Sequence, residues 1–271
     1  MTPAPSLDDI IPAAAQALAH LRERRPRVHV ITNSVVQGFT ANMLLAAGAV
    51  PSMTTSAAEI ADFAATSDAM LVNLGTLDKE RQSAIDGAVE LVLEMGTPWV
   101  LDPVFVHVSP LRCAYAATLA RRDEAVLRGN ADELTALLAE VEGREPEASD
   151  PATRSAALSL STLATVVETG AVDHVSDGVR HLGIENGHPY LSQITGAGCA
   201  GGALTAAFLA VEADRFVAAA ASLFLIGIAA ENAGLVSEGP GSFSWRLIDA
   251  VHQVSPADLA RRARPITGAV S

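Results

Sequence analysis

The sequence predicts an α/β protein with helices layered on a central, mostly parallel sheet. Short apolar runs alternate with longer amphipathic or alanine-rich stretches, the pattern of successive parallel βαβ units. Several of the short runs are apolar at nearly every position, as strands are when both faces of a sheet are covered. The chain has 271 residues, 49% of them hydrophobic and 18% charged. That is ample material for the core of one domain spanning residues 1–271, with no composition that points to disorder.

In order along the chain, a strand at 28–31 precedes a helix at 39–47, and one around 51–53 precedes a helix at 57–65. Strand 69–73 leads into helix 79–95, and strand 99–101 into helix 111–120. Strand 125–127 is followed by helices 131–140 and 151–163, and strand 165–167 closes the series. The polar stretch 143–150, with Gly and Pro, reads as a surface loop. After Gly170 the texture changes to short antiparallel strands at 172–175, 179–184 and 190–192, turned by the hairpin dipeptides Asp177-Gly178 and Asn186-Gly187. Beyond Gly198 almost everything to residue 263 reads as helix.

Composition excludes several classes. The net charge is −13, so no basic surface is available for nucleic acid. Two cysteines, Cys113 and Cys199, are too few for a disulfide framework, and a cytoplasmic, reducing setting is expected. The acidic and basic residues of the first 27 positions run in the reverse order of a signal peptide. The apolar stretch 217–230 is shorter than the ~20 residues a bilayer span needs and reads as a core helix, so no membrane partner is expected. Lys79 is the only lysine. No Walker-type or protein-kinase lysine motif can be built from it, and it sits at an exposed helix start.

The most informative segment runs from Ile194 to Gly202 and is expected to follow a strand and open a long helix. Gly196, Gly198 and Gly201 satisfy GxGxxG, but a dinucleotide turn needs a following strand that ends in an acidic residue. Glu212 and Asp214 fall instead in a connection between helices. Two readings stand for the glycines. They let backbone N–H groups at a helix start receive an anion, or they let the helix pack closely on the sheet. Cys199 lies in the first turn of that helix, where the dipole lowers a thiol's pKa. It is a nucleophile or weak base beside a phosphate, or a small buried apolar residue.

Two carboxylates stand at strand ends, where ligands bind in open α/β sheets. Asp102 closes the run Trp99-Val100-Leu101, and Glu133 follows Arg128-Gly129-Asn130. Carboxylates facing phosphates are a usual way to hold Mg²⁺. Glu133 also fits a capping box with Asn130. Arg128 is the local cation for a phosphate, or half of a surface salt bridge. Asn33 ends a strand and either positions a ligand or caps a turn, and Met53 lines an apolar pocket or belongs to the core. The seven histidines show no metal-binding spacing.

Taken together, several fragments resemble the hydroxyethylthiazole kinase family, which has a ribokinase-like three-layer α/β/α fold. They include Ile31-Thr32-Asn33, Leu71-Val72-Asn73-Leu74-Gly75-Thr76, Leu101-Asp102-Pro103-Val104, Leu127-Arg128-Gly129-Asn130, Thr169-Gly170, Val175-Ser176-Asp177-Gly178, Thr195-Gly196 and Gly198-Cys199. The resemblance runs from about residue 28 to 252. It implies transfer of the ATP γ-phosphoryl group to the primary alcohol of 4-methyl-5-(2-hydroxyethyl)thiazole in thiamin salvage. By position, Met53 and Gly196 contact the thiazole and Asn33 lies near them. Arg128 and Thr169 bind ATP, and Asp102 and Glu133 hold Mg²⁺ directly or through water. Cys199 stands where most ribokinase-like enzymes carry an aspartate base, with Gly196 and Gly198 beside it at the γ-phosphoryl group. Homotrimers are implied as well.

The chain departs from the family at Phe105-Val106-His107-Val108, where small glycine-rich residues are usual. Ala171 replaces a Glu, Ala197 replaces a Thr, and Ala200-Gly201-Gly202 replaces bulkier residues. Two further readings therefore stay open: a same-fold kinase for another small heteroaromatic alcohol, and a slow or regulatory ATP-binding relative.

Overall fold

The computed structural model describes residues 9–123, 125–146 and 150–266. Among the described residues, nine strands form one sheet in the order β2-β1-β3-β4-β5-β6-β7-β8-β9. The strands β1 (Arg27–Ile31), β2 (Val50–Ser52), β3 (Ala69–Asn73), β4 (Trp99–Asp102), β5 (Ala125–Asn130) and β6 (Thr165–Thr169) pair in parallel. The strands β7 (Asp173–Ser176), β8 (His181–Ile184) and β9 (Pro265–Ile266) extend the sheet antiparallel. The expected parallel α/β architecture is present.

Successive strand residues point to opposite faces, and two cores follow from that alternation. Val28, Val30, Leu71, Val100, Val126 and Val167 meet α1 (Ile10–Arg24), α2 (Gln37–Ala47), α8 (Ala197–Leu209), α9 (Arg215–Leu235), α10 (Pro240–Gln253) and α11 (Pro256–Arg262). Met70, Val72, Trp99, Leu101, Leu127 and Val166 meet α3 (Ile60–Ala65), α4 (Lys79–Met95), α5 (Pro110–Ala120), α6 (Ala131–Glu142) and α7 (Pro151–Thr162). The sheet is thus covered on both sides. Helix α9 is long and apolar enough to cross a membrane, yet 89% of its apolar window is buried inside the protein. It is a core helix, as its sequence suggested.

Three expectations are corrected. Residues 190–192 are not a strand but part of a 3-10 turn, Pro189–Gln193, so the glycine segment follows a turn rather than a strand. Asn186-Gly187 does not turn a hairpin. The Asn186 amide donates to Glu231 Oε1 (2.9 Å) and to Arg262 O (3.0 Å), and it accepts from Arg264 N (2.7 Å). It ties the end of β8 to α9 and to the approach to β9, a strand the sequence did not reveal. Of the loop expected at 143–150, residues 147–149 lie outside the described residues.

Candidate active site

Because β1 to β6 run in parallel, their carboxyl ends share one edge, and a polar residue closes most of them. Across the sheet the order is Met53 after β2, Asn33 after β1, then Asn73, Asp102, the Arg128–Asn130 end of β5, and Thr169. The start of α8 is brought to this edge, with Gly196 as its N-cap at φ +97°. A Cβ at Gly196 would stand 3.0 Å from Val36 Cγ1, so both the backbone angle and the contact call for glycine there.

Asp102, Asn73, Asn33 and Cys199 form one connected group. Asn73 Nδ2 donates to Asp102 Oδ2 at 2.7 Å and to Cys199 Sγ at 3.2 Å. Asn33 Nδ2 lies 3.4 Å from Asn73 Oδ1 and 3.7 Å from Cys199 Sγ. Asp102 is buried away from water, which pushes its carboxyl up to about 7 against the opposing pull of Arg128. The dipole argument for Cys199 is overturned. Burial and the neighbouring Asp102 charge push the thiol up to about 11, outweighing the amide donors and Arg128. Near neutral pH the residue is a thiol.

Arg128 is not part of a surface salt bridge. It is 6% exposed, and its Nη1 donates to Gly198 O at 2.7 Å. Among the described residues its buried Nε has no hydrogen-bond partner and its guanidinium makes no ion pair. A Cβ at Gly201 would lie 2.4 Å from Nη2, whereas one at Gly198 would come no closer than 4.0 Å to Nη1. Gly202 faces Leu71 Cδ1 at 3.2 Å by the same measure. Close packing therefore explains Gly201 and Gly202, while Gly198 borders open space beside the guanidinium.

The capping box of α6 is present: Asn130 Oδ1 accepts from Glu133 N, and Glu133 Oε2 accepts from Asn130 N, each at 3.0 Å. Glu133 Oε1 also accepts from Phe105 N at 2.9 Å, tying the loop after β4 to α6. Thr169 Oγ1 donates to Gly129 O at 3.3 Å. Beside it Asp173 accepts from Gly170 N at 2.9 Å, and burial pushes its carboxyl up to about 6. Met53 is half-buried against the core between two residues held by His29. His29 Nε2 donates to Thr54 O (3.1 Å), which leaves Nδ1 to accept from Ser52 Oγ (2.8 Å).

Asn73 and Asp173 were not singled out from the sequence. Asn73 carried the same signal as Asp102, a polar residue closing an apolar strand. His29 carried a fainter one, a histidine inside a buried strand. Among the described residues no group of three or more His, Cys, Asp or Glu could hold a metal ion.

A family model matches residues 18–257, that of the hydroxyethylthiazole kinase family. The chain belongs to that family. It is 40% identical over 251 residues to a probable hydroxyethylthiazole kinase of Agrobacterium fabrum, covering 93% of this chain and 94% of the relative. It is 43% identical over 244 residues to the hydroxyethylthiazole kinase of Cronobacter sakazakii, covering 88% and 92%. The solved hydroxyethylthiazole kinase of Pyrococcus horikoshii superposes with a TM-score of 0.88 at 38% identity, covering 93% of this chain and 98% of that one. A Bacillus subtilis pyridoxal kinase solved with ADP shares the fold alone, at a TM-score of 0.59 and 20% identity over 76% and 91% of the two chains. Membership of the hydroxyethylthiazole kinase family makes the chain a kinase with a ribokinase-like fold.

Proposed function

We propose that this kinase transfers the γ-phosphoryl group of ATP to the primary alcohol of 4-methyl-5-(2-hydroxyethyl)thiazole, acting in thiamin salvage as a cytoplasmic homotrimer. The observation that carries this reading is Arg128, a buried cation with an unpartnered Nε beside the first turn of α8. A buried guanidinium with an N–H left unpaired is costly, even with the Asp102 and Asp173 carboxyls near enough to feel its charge. An anion such as a phosphate, seated between the guanidinium and the open N–H groups of a helix start, removes that cost.

The donor set also fits Mg²⁺, which binds through one or two carboxylates, waters and substrate phosphates rather than through an all-protein cage. Asp102 would hold it directly. Glu133, with both oxygens already accepting backbone N–H groups, would hold it through water. When bound, the ion supplies charge neutralisation between phosphates. The rest is positioning, which dominates phosphoryl transfer through a loose transition state. Arg128 and Thr169 bind the nucleotide, while Gly196 and Gly198 let backbone amides approach the transferring group. Met53, Gly196 and Asn33 border the acceptor. Cys199, a thiol near neutral pH, borders and orients the acceptor hydroxyl, whose proton leaves late in the loose transition state to an oxygen of the transferred phosphoryl group.

One observation favours a different heteroaromatic acceptor. Phe105 holds φ +58° with 60% of its surface exposed, in a loop tied to Glu133. The test is steady-state phosphorylation, with ATP and Mg²⁺, of the thiazole alcohol against pyridoxine-like and hydroxymethylpyrimidine acceptors. The thiazole alcohol is expected to give the highest kcat/KM. Nucleotide binding with no acceptor phosphorylated would reject the proposal. Cys199→Ser should slow turnover with little change in ATP affinity, and unchanged turnover would remove any chemical role for the thiol.

A further inference from the structure

We infer that Asn73 is a positioning residue for phosphoryl transfer, its amide holding Cys199 and Asp102 in fixed relation; the inference rests on the function proposed above. Asn73 ends β3 directly opposite Asp102 in the parallel register, and its side chain is fully buried. Every valence of the amide is used. One N–H goes to Asp102 Oδ2 and the other to Cys199 Sγ, at 2.7 and 3.2 Å. The carbonyl oxygen accepts from Gly75 N at 3.0 Å and faces Asn33 Nδ2 at 3.4 Å.

The amide can sit only one way round. Flipped, its oxygen would face the Asp102 oxygen and its N–H groups would face the Gly75 N–H. Gly75 belongs to the same device, since a Cβ there would stand 2.9 Å from both Asn33 Nδ2 and Asn73 Oδ1. One side chain thus joins the ends of β1, β3 and β4 to the first turn of α8. Asp102 lies on the phosphate side of the proposed reaction and Cys199 on the acceptor side. The spacing between the two reacting partners is therefore set by a residue with no need to touch either, and misplacement by about 1 Å can cost a hundredfold in rate.

Two variants and two kinds of measurement test this. Asn73→Asp keeps the volume but replaces the donor beside sulfur with a carboxylate. Asn73→Ala removes the tether, and thermal unfolding checks that each variant is folded. In enzyme without substrates, iodoacetamide labelling of Cys199 at fixed pH, with added glutathione as reference thiol, should slow about tenfold or more in Asn73→Asp, because the thiolate is the reactive form. In steady-state assays Asn73→Ala should lower kcat about tenfold or more and leave both KM values within about threefold. The Asn73→Ala/Cys199→Ala double variant should lose less than the product of the single losses, the mark of residues acting through one another. Unchanged labelling, a loss confined to KM, or losses that multiply independently would overturn the inference. If the unaltered enzyme phosphorylates no alcohol, the functional proposal fails, and the labelling measurement alone then decides the tether.

Discussion

At the β1–β3–β4 part of the sheet edge the Asn73 amide has a partner for each hydrogen and for its oxygen. At the β5–β6 part, a few residues away across the sheet, Arg128 carries a buried charge with an unpartnered Nε. Both side chains are buried, so their difference does not come from exposure. A saturated amide fixes the geometry of its neighbours and has nothing left of its own to offer a ligand. An incompletely paired cation costs the empty protein stability and keeps part of its binding capacity in reserve. The first region is built to position, the second to bind.

The largest expected effect comes from removing the reserve. Arg128→Met should lower kcat/KM for ATP by about a hundredfold or more, while the thermal midpoint of the empty enzyme stays level or rises, because a buried, incompletely hydrogen-bonded charge has gone. Asn73→Ala should move stability the other way, by about 1–3 kcal/mol, since it orphans the groups it pairs. Equal destabilisation by both, read by denaturant unfolding, would erase the contrast.

A smaller effect separates two glycines of one helix. Gly201→Ala must displace the guanidinium and should cost both stability and about tenfold in kcat/KM for ATP. Gly198→Ala has open space and should leave stability intact while hindering nucleotide use. Identical behaviour in thermal melts would show that Arg128 does not depend on its slot against α8.

The smallest effect is electrostatic. The Asp102 carboxyl is held at about 7 rather than 3.8, so the folded chain keeps a proton that the unfolded chain releases. Its contribution to stability is fully present below the unfolded value and is lost as pH rises through about 7. In metal-free buffer the midpoint of Asp102→Asn relative to the unaltered enzyme should therefore rise by a few degrees between pH 5 and pH 8. The opposite slope would mean that Arg128, not burial, governs that carboxyl.

The central strands were legible because each is an apolar run bounded by polar residues, and the parallel alternation put their ends on one edge. Asn33 and Asp102 stood out there for that reason. The 3-10 turn at 189–193 was not legible, because its short Tyr190-Leu191-Ser192 run reads equally well as a strand, and only the contacts of Asn186 explain why no hairpin precedes it. Cys199 was misread electrostatically. The helix start is visible in the sequence, but the burial and the facing carboxylate that raise the thiol are not.

The sequence by itself determined the layered parallel sheet, the family, and which polar residues lie at strand ends, since periodicity and local motifs are written residue by residue. The tertiary structure decided that Asn73 meets a sulfur 126 positions away and that Arg128 is enclosed with one N–H left unpartnered. Such contacts depend on strand order and on how closely α8 seats against the sheet. The charge states there follow from burial, which belongs to the packed molecule and to no single residue.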